Sequence, residues 1–336
     1  MAASRPVVHV IATGGTISGL GPHRLDYTLY PELGRQRLSA EEMLARIPEA
    51  GQFAEVKVED LLRVGSSSIG PAEWLQLAER IDALLTSAQP PQGVVITHGT
   101  ATLEETGYFL HLTVKSDRPV VLTGAMRPPS ALGTDGDLNL LDAIRLAACP
   151  DAAGRGVLTV LNNEIQSARD VTKTNAFRVN TFGGRDFGCL GYVDADGQVL
   201  FYRNVTRRHT GATPFDVRGG QTLPRVDIVL AYAGADGVLI DALRERGTGG
   251  LVLVGFGGGT YPAAFLEAGE RAVQAGIPVV LATRSNAGRV VMTPAKADAG
   301  FIVSDDLMPQ KARILLMLAL SVTRERQAIQ EMFYRY

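Results

Sequence analysis

Two short loops in this 336-residue chain hold the hydroxyl groups best placed to do chemistry. Thr13-Gly14-Gly15-Thr16 follows the apolar run of residues 7–11, and Thr97-His98-Gly99-Thr100 follows Val94-Val95-Ile96. A buried parallel strand that ends in a Gly-rich turn is where α/β proteins gather ligands. Glycine lets backbone N–H groups approach a substrate closely, and the threonines set hydroxyls beside them. A threonine hydroxyl becomes a nucleophile when a neighbour takes or polarises its proton. For Thr16 the candidate neighbour is Tyr27, in a loop flanked by glycine and proline that could fold over it. For Thr100 it is Lys173, in the polar segment Arg169-Asp-Val-Thr-Lys-Thr-Asn175. A lysine held against a threonine in a cleft has its pKa lowered and can serve as a base. Thr100 also sits at a strand-to-helix turn, where free helix N–H groups favour an oxyanion. Two threonine-centred pairs make a workable hydrolase, provided the four side chains meet.

Plainer readings stand beside these. Residues 13–19 lack the G-x-G-x-x-G spacing and the Walker lysine, which argues against nucleotide binding and leaves a tight structural turn as the alternative to a nucleophile. A lone tyrosine is usually a packed amphipathic ring, and a lone lysine a solvated charge. His98 has no second histidine or cysteine at ligand spacing, so it reads as a structural loop residue and not a metal ligand. Asp135 and Asp137, close to Gly133 and Gly136, read as turn residues more than as cation ligands.

The elements that must position these loops alternate between strand and helix. Strands are expected at residues 7–11, 94–97, 120–123 and 157–161, and helices at 41–47, 71–86, 102–114 and 138–148. Pro71 suits a first helical turn, with Trp74, Leu77, Ile81 and Leu84 on one face. Thr102-Leu-Glu-Glu105 fits a capping box. Residues 190–193 and 198–202 flank Asp196-Gly197, a hairpin signal. Residues 206–224 are polar and rich in proline and glycine, and read as a linker. The rhythm then resumes, with strands at 226–232, 251–254 and 277–282 and helices at 237–246, 263–275 and, last, 311–323. The expected fold is α/β with mostly parallel sheets covered by helices. It divides into a larger N-terminal domain (1–205) that carries the chemistry and a smaller Rossmann-like one (225–336).

With 33 basic and 35 acidic residues and no charged run, the chain lacks the basic patch that nucleic-acid or membrane-surface binding needs. No apolar stretch reaches the ~20 residues of a membrane span. The N-terminus runs into a strand without the apolar core of a secretory signal, so a cytoplasmic protein is expected, although an exported form with its signal removed would look the same. Cys149 and Cys189 form neither a metal-ligand spacing nor a disulfide framework and read as small buried hydrophobes.

At these residues the chain resembles the bacterial-type L-asparaginase/glutaminase family. The matching segments are Ala12-Thr-Gly-Gly-Thr-Ile-Ser-Gly19, Thr97-His-Gly-Thr100 with Thr102-Leu-Glu-Glu-Thr106, Gly124-Ala-Met-Arg-Pro128, Arg169–Asn175, His209-Thr210 with Thr213-Pro-Phe-Asp216, and Pro309-Gln-Lys-Ala-Arg313. They occur in order over nearly the whole length. The resemblance implies two α/β domains, no cofactor, a homotetramer built from intimate dimers, and hydrolysis of a small side-chain amide to acid and ammonia. It implies that Thr16 is the nucleophile, assisted by Tyr27, and that Thr100 and Lys173 form a second catalytic pair. Gly15, Ser66, Ser67, Gly99, Ala101 and Ala125 would line the substrate, with Ser66 on its carboxylate and backbone N–H near Thr100 and Ala125 on the oxyanion.

The chain also departs from the family pattern. Ala101 replaces the aspartate that directly follows Thr-His-Gly-Thr, Ser67 stands where exported members often carry glutamine, Gly255-Phe-Gly-Gly-Gly-Thr260 lacks an asparagine, and residues 289–299 lack a glutamate. Ala101 matters most, because the family aspartate pairs with the substrate's α-ammonium. Removing a buried partner of a charge costs roughly 3–5 kcal/mol, or two to four decades in affinity or rate. Lys173 would lose an anionic neighbour, and its pKa should fall. Three accounts follow: an engineered change in an ordinary asparaginase, a substrate that lacks a free α-ammonium, or a paralogue that binds without turnover.

Overall fold

The computed structural model describes residues 5–30, 36–220 and 222–336. Residues 1–4, at the expected start, and residue 221 of the expected linker lie outside the described residues. The chain divides into two units between Ala212 and Thr213.

In the first unit the strands are β1 (Val7–Gly14), β2 (Glu55–Val64), β3 (Gly93–Thr97), β4 (Val120–Thr123), β5 (Val157–Leu161), β6 (Glu164–Ser167), β7 (Thr172–Lys173), β8 (Phe182–Gly183), β9 (Gly191–Val193) and β10 (Val199–Phe201). Eight of them form one sheet in the order β10-β9-β6-β5-β4-β3-β1-β2. Strands β2, β1, β3, β4 and β5 run parallel, and β6, β9 and β10 add antiparallel neighbours. The residues of β3, β4 and β5 are buried throughout, as a sheet covered on both faces requires. The order 2-1-3-4-5 reverses beside β1, which puts the switch point, where such sheets gather ligands in a crevice, at the carboxyl ends of β1 and β3. Both threonine loops leave the sheet there.

The helices of this unit are α1 (Ala40–Ala45), α2 (Pro71–Leu85), α3 (Leu103–Thr113) and α4 (Gly136–Ala148). On α2 the buried stripe is Trp74, Leu77, Ala78, Ile81 and Leu85; the expected Leu84 lies one residue off that face. Leu140, Ala143, Ile144 and Ala147 of α4 join Val8, Val10, Val95 and Val121 in the core. Sequence reading missed β2, an edge strand whose charged residues mask its β pattern and protect its open side. The capping box at Thr102 is not formed: its hydroxyl donates instead to the Ser66 carbonyl at 2.7 Å, because the loop from β2 packs against the start of α3. Cys149 and Cys189 are half-buried free thiols, not buried ones.

The second unit has a parallel sheet of β11 (Val226–Leu230), β12 (Gly250–Gly255), β13 (Val279–Thr283) and β14 (Ile302–Val303), in chain order. Its helices are α5 (Val238–Glu245), α6 (Ala263–Gln274), α7 (Pro294–Asp298), α8 (Pro309–Leu320) and α9 (Arg326–Arg335). Leu251, Leu253, Leu281, Phe265 and Ala268 centre its core. The expected last helix is followed by another, α9, which starts on the Glu325 carboxylate and buries Ile329 and Phe333. A glutamate cap and only two apolar anchors left little signal for it. Among the described residues no helix is long and apolar enough to cross a membrane.

Leu253 is fully buried in β12. Leu253→Ala is expected to cost about 2–5 kcal/mol, read as a lower midpoint in denaturant unfolding, because the sheet can only partly close the cavity.

Candidate active site

The two loops touch through their glycines. Gly14 and Gly15 adopt φ of +103° and +86°, a left-handed backbone that favours glycine. The Gly15 N–H donates to the Val64 carbonyl at 3.0 Å, which joins the end of β1 to the end of β2. A Cβ on Gly15 would overlap the backbone of Gly99, and a Cβ on Gly99 would come within 2.6 Å of Ser66 Oγ. A Cβ on Gly124 would lie 2.5 Å from the His98 carbonyl. Segments after β1, β2, β3 and β4 thus converge at distances only glycine allows.

Thr16 is buried, and its Oγ1 lies 2.6 Å from the Tyr30 hydroxyl. The expected partner Tyr27 is not there. Its hydroxyl donates to the Leu132 carbonyl at 3.0 Å, and its half-exposed ring lies under the Arg127 guanidinium. The Asp26 carboxylate explains the difference. It accepts from the N–H groups of Thr28 and Leu29, forming a turn that carries Tyr30 back to Thr16 while Tyr27 points elsewhere. Sequence reading missed Tyr30, since both tyrosines lie in the same loop. It also missed Arg37, whose Nη1 donates to the Gly15 carbonyl at 3.1 Å.

Lys173 meets Thr100 as expected, with Nζ 2.8 Å from Oγ1. Lys173 is placed by the β7–β8 ribbon, in which it faces Phe182. The turn of that ribbon is tied by Thr174 to the Thr181 carbonyl and by the Thr181 hydroxyl to Asn175. Burial pushes the Lys173 ammonium below its usual range, and the charge of Glu104, in the first turn of α3, partly opposes that. The expected fall therefore has desolvation as its main cause, and Lys173 keeps an anionic neighbour although residue 101 is alanine.

Ser66 is buried and accepts the Ala101 N–H at 3.2 Å, while Ser67 is exposed. Ala125 is fully buried at the end of β4. Asp135 accepts from the N–H groups of Met126 and Arg127 and so ties the loop after Ala125; Asp137 pairs with Arg46 at 2.7 Å. Both aspartates hold turns and helix ends. Among the described residues no group of three or more His, Cys, Asp or Glu could hold a metal ion.

His98 is fully buried and is held neutral, with its pKa lowered to about 4 by desolvation. Its Nδ1 lies 2.8 Å from the Gly99 carbonyl and its Nε2 2.9 Å from Thr106 Oγ1. An unfolded histidine takes up a proton near pH 6.5, so between pH 6.5 and 4 the unfolded chain binds more protons than the native one. The stability His98 contributes is intact above pH 6.5 and is lost as pH falls, by about 3 kcal/mol at pH 4. Denaturant unfolding of the parent and of His98→Asn should therefore converge as the pH drops from 7 to 4. A difference that does not change with pH rules His98 out as the titrating group.

Comparison with known proteins identifies the family. Residues 7–207 match the family model for the N-terminal asparaginase domain, and residues 225–333 that for the glutaminase/asparaginase C-terminal domain. L-asparaginase 2 of Bacillus subtilis is 41% identical over 98% of this chain and 87% of its own length. A glutaminase-asparaginase of Pseudomonas fluorescens is 36% identical over 98% of this chain and 90% of its own. The crystal structure of a probable cytoplasmic L-asparaginase from Campylobacter jejuni superimposes with a TM-score of 0.93 at 40% identity, covering 99% of this chain and all of that one. A two-domain fold matched from end to end, with two threonine loops meeting at the sheet's switch point, places this chain in the bacterial-type asparaginase family, whose members are amidohydrolases acting on linear amides.

Proposed function

We propose that the chain hydrolyses the side-chain amide of L-asparagine or L-glutamine through a threonine acyl-enzyme. The observation that carries this reading is the presence of two hydroxyl pairs, Thr16–Tyr30 and Thr100–Lys173, on loops in backbone contact. Thr16 Oγ1 attacks the amide carbon as its proton leaves through Tyr30, the role first expected of Tyr27. The carbonyl oxygen becomes an oxyanion facing backbone N–H groups near Thr100 and Ala125. The C–N bond then breaks and nitrogen leaves as ammonia with the proton. Water, deprotonated through the Thr100–Lys173 pair, adds to the ester, and the C–Oγ1 bond breaks to restore Thr16. Ser66 Oγ already accepts the Ala101 N–H, so its own proton is available to donate to a substrate carboxylate, with Ser67 beside it. Asparagine and glutamine differ by one methylene, worth only about 1–3 kcal/mol of discrimination.

A second reading rests on Ala101. A methyl group offers an α-ammonium no acceptor, which favours an amide that keeps the carboxylate but lacks the free amine, such as succinamate. Under either reading we also infer a cytoplasmic homotetramer. Supporting it, Ile228, Leu230, Tyr232, Val238 and Leu239 are exposed within a short stretch of the second unit. Light scattering should give about four times the chain mass of 35.8 kDa.

Ammonia release from a panel of amides with and without an α-amino group tests both readings. Thr16→Ala should lower kcat by at least about a thousandfold on any amide that is turned over. Ala101→Asp should raise kcat/KM on L-asparagine by about a hundredfold or more under the first reading, and leave it flat while succinamate is hydrolysed under the second. Saturable binding without turnover of any amide would overturn both in favour of a binding protein. Because the lowered pKa enlarges the neutral fraction of Lys173, kcat should rise with pH along a limb centred below the ordinary lysine range.

A further inference from the structure

A chain of buried hydrogen bonds runs from α2 through α3 to the loop that bears Thr100. The Trp74 indole N–H donates to Thr106 Oγ1 at 2.9 Å. Thr106 Oγ1 lies 2.9 Å from His98 Nε2, and His98 Nδ1 lies 2.8 Å from the Gly99 carbonyl. All three side chains are buried to 2% exposure or less. The proton assignments follow from the partners. A carbonyl only accepts, so His98 Nδ1 carries a hydrogen. A neutral ring then has a bare Nε2, which takes the single Thr106 proton. The Thr106 oxygen is free to accept only because indole, a pure donor, stands behind it. Each group has one arrangement that satisfies it, and an unpaired one here would cost a full desolvation penalty.

The bond ends on the peptide between Gly99 and Thr100. That unit is planar and trans, so a carbonyl turned toward His98 turns the Thr100 N–H the opposite way. Among the described residues no protein group accepts the Thr100 N–H, although Thr100 is only 7% exposed. A buried, unclaimed donor beside a hydroxyl bonded to Lys173 is placed to meet a ligand oxygen. Donation into the carbonyl also polarises the amide and strengthens its N–H as a donor.

We propose that Trp74, Thr106 and His98 are positioning residues that set the Gly99–Thr100 peptide plane, and through it the Thr100 N–H that receives the oxyanion. This rests on the proposed acyl-enzyme. The three residues touch no substrate. They act by fixing one tautomer and one peptide orientation before the substrate arrives, so their effect falls on kcat more than on KM.

The test compares Thr106→Val, which keeps the shape and removes the hydroxyl, with Thr106→Ser, which keeps the hydroxyl. It also compares His98→Asn, whose amide N–H can replace the Nδ1 donor, with His98→Leu, which cannot. Folded fraction is measured for each by thermal unfolding. Thr106→Val and His98→Leu should lower kcat by about 10- to 100-fold with KM within about threefold, and Thr106→Ser and His98→Asn should recover most of that loss. Losses that only follow the folded fraction, or a folded Thr106→Val with parental kcat, overturn the proposal. Thr16→Ala in the same assay separates the two claims. If it retains ammonia release, the acyl-enzyme reading fails whatever the Thr106 variants do. If it is inactive while Thr106→Val is not, only the positioning role fails. Ring nitrogen-15 shifts read the tautomer without turnover. The parent should show His98 protonated at Nδ1, and Thr106→Val should keep that proton on the Gly99 carbonyl while its Nε2 shift moves to that of a nitrogen accepting no hydrogen bond. A parental ring protonated at Nε2 overturns the proposal directly.

Discussion

The site depends on a backbone contact that no side chain could make. Gly15 lies against Gly99, and Gly99 against Ser66, at separations where a single Cβ on either glycine would collide. β1 and β3 are parallel neighbours, with Ala12 opposite Thr97, so their loops emerge side by side. Because the glycines take up no lateral room, the residue that follows each one, Thr16 and Thr100, is brought to the same crevice. The left-handed φ of Gly14 and Gly15 bends the chain sharply enough that Thr16 faces that crevice and does not continue the strand. Each further feature of the site is attached to this junction: Arg37 on the Gly15 carbonyl, His98 on the Gly99 carbonyl, and Ser66 on the Ala101 N–H.

Around the junction, burial shifts polar groups away from their charged forms. Lys173 is pushed toward its neutral form and His98 is kept from becoming cationic, in both cases chiefly by desolvation. Both shifts have chemical value only with their hydrogen bonds in place. Lys173 without Thr100 would be a half-buried amine with nothing to deprotonate, and His98 without Thr106 would leave its Nε2 without a donor. Glu104 moderates the effect on Lys173, so the ammonium is not left without a counter-charge although position 101 carries a methyl. Residue 101 therefore weighs on what the substrate presents more than on whether Lys173 can work.

Much of this was legible in the chain. The apolar runs ending at Thr13 and Thr97 marked buried parallel strands, and the glycines after them marked the turns. The Thr100–Lys173 pair was a candidate from residue chemistry that the family resemblance singled out, and the contact is formed. What was not legible depended on partners distant in sequence. The Thr102 hydroxyl has a local capping role available and instead bonds Ser66, 36 residues away. Strand β2 is stabilised by pairing with β1, not by its own alternation, so its charges concealed it.

Tyr27 and Tyr30 mark the boundary most clearly. They share a loop three residues apart, and nothing in their types distinguishes them. The turn on Asp26 sends one hydroxyl to Leu132 and the other to Thr16. Local sequence by itself determined the strands, the glycine turns and the residue types able to do acyl chemistry, because these follow from backbone sterics and apolar periodicity over a few residues. Only the tertiary structure decided which hydroxyl meets which partner, since a hydrogen bond depends on tenths of an ångström between atoms that the sheet brings together from distant parts of the chain.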